Sequence, residues 1–76
     1  MQMDNPWLTE AEKAANLDEA LHVAKDIGWT QAVCANSTRD IVAQEAALWH
    51  LAGIYGKDAI QDGYAIGSAE GEAYEQ

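Results

Sequence analysis

Apolar positions in the first part of the chain recur at helical spacing. Ala14, Leu17, Leu21, Ala24 and Gly28 alternate steps of three and four, and Ala20, Val23 and Ile27 widen the same face. Upstream, Thr9-Glu10-Ala11-Glu12 has the form of a capping box, with Thr9 as N-cap and Glu12 reaching back from the third helical position. Asn5-Pro6 offers an alternative start one turn earlier, because proline is tolerated in the first helical turn. The pattern predicts a first helix over about residues 9–27, with Gly28 as its left-handed stop. Residues 29–35 are too short and alanine-rich for a strand. They predict a short helical turn near 30–36, with Trp29 folded back over the first helix as a lid.

Ser37 with Asp40, or Thr38 alone, caps a second helix over about residues 38–55, and Gly56 terminates it. Between Ala46 and Tyr55 its one strongly polar residue is His50, expected to be hydrogen-bonded in a core or interface. A helix apolar nearly all round must be buried nearly all round, and a chain this short has little with which to cover it. Leu48, Trp49, Leu51, Ile54 and Tyr55 are therefore expected to hold a homodimer or a partner. Asp58 opens a third helix over about residues 58–66, with Ile60, Tyr64 and Ile66 turned to the core. Gly63, Gly67 and Gly71 then recur every fourth residue. In a continuous helix they would form a smooth stripe for close backbone approach, but three such glycines more often loosen a chain. The expectation is a frayed acidic tail over about residues 67–76. The reading is all-α: a small three-helix arrangement in a single domain, residues 1–76, with no repeat, linker or strand alternation.

Composition sharpens this picture. Of the 76 residues, 15 are alanine and only 13 are Leu, Ile or Val, with no Phe, so the core is thin. Thirteen Asp and Glu against four Lys and Arg leave a net charge of −9. Four scattered cations cannot neutralise a phosphate backbone, which argues against direct nucleic-acid binding. No apolar run reaches the 18 residues or so of a membrane span. Cys34 has no partner for a disulfide and reads as a small buried hydrophobe. With no basic, apolar leader at the amino terminus, the expected location is the cytoplasm.

Candidate catalytic chemistry is sparse. His22 lies between Asp18 and Asp26 at four-residue spacing, a better match to a solvated charged row than to a metal site, which normally wants more nitrogen or sulfur ligands. Asp58, Asp62 and Gly63 lack the alternating carboxylates and terminal glutamate of a calcium loop. Neither a phosphate-cradling glycine loop nor a dinucleotide fingerprint is present. The expectation is a non-enzymatic protein with no catalytic residue, metal or cofactor.

The carboxylates are the main signal. Glu12, Glu19 and Asp26 are spaced by seven, on one side of the first predicted helix and about 10.5 Å apart along its axis, bordered by Asp18. Asp58, Asp62, Glu70, Glu72 and Glu75 follow with no base among them after Lys57. Such rows attract a strongly basic surface. Two chains together would carry −18, comparable to the roughly 18 charges on about 30 Å of duplex DNA. A short, acidic, alanine-rich helical chain with these rows resembles the DNA-mimic proteins, many of them phage-encoded inhibitors that occupy the nucleic-acid site of a host enzyme. In size and acidity it is similar to a small phage-encoded inhibitor of DNA gyrase. The resemblance implies a basic nucleic-acid-binding target, with gyrase first and CRISPR effectors or other DNA enzymes after it, and a host-cytoplasmic location. The alternative is a helical adaptor or anti-activator that binds a protein through the apolar face of the second helix, its acids serving solubility.

Overall fold

The computed structural model describes residues 5–74 as four helices: α1 (Pro6–Lys13), α2 (Leu17–Val33), α3 (Thr38–Tyr55) and α4 (Lys57–Tyr74). The chain is all-α, with no strand among the described residues.

The first predicted helix is two. It begins at Pro6, where the Asn5 side chain accepts from the Leu8 amide at 3.1 Å, so Thr9 and Glu12 lie inside α1 and form no capping box. It ends at Lys13, and Ala14 is extended. The break comes from a competing local cap. Asn16 accepts from the Glu19 amide at 2.9 Å, while the Glu19 carboxylate accepts from the Ala15 amide at 3.2 Å. These reciprocal bonds satisfy amides that a continuous helix would have had to satisfy from its own backbone.

Gly28 does not stop α2, which continues through the predicted isolated turn to Val33. The physical reason lies in α4. Gly63 packs on Leu21 and Ala24, Gly67 on Lys25, and Gly71 on Trp29 and Ala32, so the two helices run parallel. A Cβ on Gly67 would collide with the Lys25 carbonyl, and one on Gly28 with the Tyr64 carbonyl. The glycine stripe is thus the seam along which two backbones meet. Tertiary packing holds α4 helical to Tyr74, where the sequence pattern suggested a frayed tail. Glycine costs about 1 kcal/mol of helix propensity relative to alanine, and close packing along the seam offsets it.

Parallel neighbours need a crossover, and α3 provides it. A Ser37–Asp40 capping box opens α3, and Gly56, at φ 101°, turns the chain directly into α4. The second helix and its stop lie where the sequence placed them. The core contains Ala11, Ala20, Ala24, Ile27, Ala47, Leu51 and Ile60. Small side chains let the helices approach closely, and the body measures 36 × 30 × 16 Å. Three other expectations change. Trp29 is half-buried within α2, its ring 5.5 Å from that of Tyr74, and it forms no lid on the first helix. Cys34 is an exposed free thiol at the C-cap of α2, because the helix ends there and turns its last residue to solvent. Ile66 is exposed, because the glycine seam, and not an apolar stripe through Ile66, is the side of α4 turned inward.

Candidate functional site

Three surfaces carry the chemistry that sequence reasoning singled out. The first is a groove between α3 and α4. Leu48, Trp49 and Ala52 line one side, Ile60 and Tyr64 the other, around a volume of about 440 Å³. Glu45 and Lys57 stand at its rim. The Lys57 Nζ sits 5.8 Å from the centre of the Trp49 ring, within the range of a cation–π contact.

A half-buried polar chain centred on Gln44 backs the groove's inner wall. Gln44 is 1% exposed. Its Oε1 accepts from Gln31 Nε2 at 2.8 Å, and its Nε2 donates to Asn36 Oδ1 at 3.2 Å. The Tyr64 hydroxyl donates to Gln31 Oε1, and Asn36 Nδ2 donates to the Cys34 carbonyl at 2.7 Å. Among the described residues no buried side-chain polar atom lacks a partner. Satisfied networks of this kind specify one packing, which here locks the α2–α3 corner to α4.

The apolar residues expected to bind a partner divide. Trp49 and Ile54 are 65% and 59% exposed. Leu48 is half-buried in the groove wall. Leu51 is fully buried, and Tyr55 is half-buried with its hydroxyl donating to the Ala14 carbonyl at 3.2 Å. Leu51 and Tyr55 therefore hold α3 to the rest of the chain and are not presented to a partner. His50 is half-buried.

The second surface lies between α1 and α2. The break at residues 14–16 takes Glu12 off the helix that carries Glu19 and Asp26, so the row of three carboxylates spaced by seven does not exist. Glu10 replaces Glu12 there. Glu10, Glu19 and Asp26 line a shallow groove of about 310 Å³ together with Lys13 and His22. Asn16 followed by Glu19 was the sequence signal for this break, a cap pattern hidden inside an otherwise regular apolar period. Asp18 and His22 are exposed on α2.

The third surface is the outside of α4. Helical spacing places Asp58 and Asp62 on the side away from the buried stripe of Ile60, Gly63, Gly67 and Gly71, while Glu72, on the same exposed half of α4, turns toward the α2–α3 corner and lines a depression there with Cys34, Asn36 and Ile41. Glu70 sits at the flank, 3.8 Å from Lys25 Nζ, so a base from α2 offsets part of the tail's charge. This is the one ion pair among the described residues. Every described carboxylate is exposed. Glu75 lies outside the described residues. No helix of the described residues is long and apolar enough to cross a membrane.

The chain matches no protein-family model, no curated protein and no solved structure.

Proposed function

We propose that this chain is a non-enzymatic inhibitor whose carboxylates occupy the basic, nucleic-acid-binding surface of another protein, in the manner of a DNA mimic. One observation carries the reading: all described Asp and Glu side chains are exposed, and only Glu70 is spent on an ion pair. Carboxylates held in water on rigid helices, at −9 for 76 residues, provide a long-range field that selects a basic partner and speeds encounter with it. The exposed half of α4 with Asp58, Asp62 and Glu72, and the α1–α2 groove with Glu10, Glu19 and Asp26, would stand in for two runs of phosphates. DNA gyrase is the first target to assay.

A second reading rests on Trp49. A tryptophan 65% exposed beside an apolar groove matches an adaptor that takes a partner side chain between α3 and α4. Binding to gyrase across a salt series, with and without competing duplex DNA, separates the two. Mimicry predicts affinity that falls steeply with salt, since exposed charges are screened within about 8–10 Å near physiological ionic strength, and binding that DNA abolishes. Salt-insensitive binding that survives DNA competition and disappears on Trp49→Ala supports the adaptor and contradicts mimicry.

A further inference from the structure

We infer that the α3–α4 groove takes an arginine side chain of a basic protein partner, its guanidinium laid on the Trp49 ring and paired with the Glu45 carboxylate. The chemistry of the groove selects this occupant. Leu48, Ala52 and Ile60 form an apolar wall that a stem of methylenes can cover. Behind it, Gln31 and Tyr64 are bonded to each other, and Gln31 also to Gln44. At the rim, Glu45 is exposed, forms no ion pair among the described residues and can only accept hydrogen bonds. Glu45 and Trp49 are four positions apart on α3, which sets their Cβ atoms about 5–6 Å apart on one face, and both line the groove. An apolar stem ending in a positively charged, donor-only head matches this set.

Lys57 shows that the ring receives a cation, and also why a lysine does not complete the site. Its Nζ stands 5.8 Å from the ring centre, near the outer limit of a cation–π contact, and leaves Glu45 unpaired. An ammonium is a point charge and meets only one of the two groups. A guanidinium is planar, so it can lie flat on an indole while its edge presents two N–H groups to a carboxylate. The net charge of −9 draws such a group in and repels a second copy of this chain, so the occupant is foreign. This rests on the reading of the chain as a ligand for a basic surface and extends it. Arginines that bind single strands stack on base faces and contact phosphates. Trp49 and Glu45 offer the same two features within about one turn of α3.

N-acetyl-arginine amide, titrated into the full chain at low salt, tests the groove without any target protein. The readout is the indole N–H resonance of Trp49, identified by its loss in Trp49→Phe. A saturable shift is expected. N-acetyl-citrulline amide, similar in shape but neutral, should give none, and N-acetyl-lysine amide should bind more weakly. Glu45→Gln should weaken arginine binding about tenfold, a loss of roughly 1.4 kcal/mol. Lys57→Gln should tighten it about threefold, because the competing cation leaves the ring. Both residues are exposed, so circular dichroism should show the native fold in each variant. The chain with Glu10→Gln, Glu19→Gln and Asp26→Asn loses its charges outside this groove and should bind as the native chain does. No saturable shift, an equal shift with citrulline, or equal weakening by Glu45→Gln and the distant set overturns the inference. A negative titration leaves the gyrase salt series untouched, and a failed salt series leaves a positive titration standing, so the two readings fail separately.

Discussion

The carbonyl of Lys25 occupies the place where a Cβ on Gly67 would stand. This relationship explains why α4 can be helical through three glycines spaced by four. The missing side chains allow α2 and α4 to touch along their backbones, and the dispersion attraction between them does what a larger core would otherwise do. In a chain with 13 Leu, Ile and Val residues, that seam is a principal source of order.

Gly67→Ala should accordingly destabilise the fold. Overpacking typically costs about 1–3 kcal/mol, and here the obstacle is backbone, which cannot rotate away. The alanine's own helix propensity returns about 1 kcal/mol, so the expected net loss reaches about 2 kcal/mol at the upper end of that range. Gly53→Ala gains the same propensity without a collision and should raise the melting temperature. Thermal melts followed by circular dichroism check both signs.

The Gln31–Gln44–Asn36 chain gives a second expectation. Gln44→Ala removes the buried central member and leaves one half-buried donor on Gln31 and one half-buried acceptor on Asn36 without their partner, at a cost of about 1 kcal/mol or more. Tyr64→Phe removes one terminal hydroxyl and should cost about 1 kcal/mol. Urea denaturation, with an unchanged dependence on denaturant, distinguishes these losses from a change in compactness.

Caps are the third. Ser37→Ala deletes half of the box that opens α3, and Asn16→Ala deletes the cap that separates α1 from α2. Each should cost about 1 kcal/mol. The second has a diagnostic consequence. With Asn16 gone, residues 14–16 lose their competing local bonds, and a longer continuous helix should raise the helical signal even as cooperativity falls.

These residues also show what sequence could and could not reveal. The limits of α3 were legible because Ser37-x-x-Asp40 and Gly56 act locally, through bonds within one turn. The end of α1 was not, because the apolar period runs unbroken across Ala14 and Leu17 while the Asn16–Glu19 cap interrupts the backbone beneath it. Gly28 reads as a stop in isolation, since its reason for being glycine is a Tyr64 carbonyl 36 positions away. The same holds for Gly63, Gly67 and Gly71, which loosen a lone helix and tighten a paired one. Among the candidate site residues, exposure of the carboxylates was legible from their type. Their grouping was not: Glu10 joined Glu19 and Asp26 only because the helix breaks. Leu51 and Trp49 differ by two positions, which turns one to the core and the other to solvent, and no composition argument separates them.

Charge neutralisation tests the acidic faces. Asp58→Asn, Asp62→Asn and Glu72→Gln together should leave the fold intact, because all three side chains are exposed and outside any ion pair. Charge-assisted contacts contribute about 1.5 kcal/mol or more each, so target affinity should drop about a thousandfold. Glu10→Gln, Glu19→Gln and Asp26→Asn form the companion set. The α4 set should show the larger loss, because Lys13 shares the α1–α2 groove with its acids.

If this chain takes the place of nucleic acid on a basic protein, its partner must be one that DNA can displace. The most direct measurement immobilises the chain, exposes it to bacterial lysate and identifies what duplex DNA elutes. Mimicry predicts DNA-binding proteins, DNA gyrase foremost, retained by the native chain, released by DNA and lost with the neutralised α4 set. Retained proteins that ignore both DNA and charge neutralisation, yet disappear with Trp49→Ala, would contradict it.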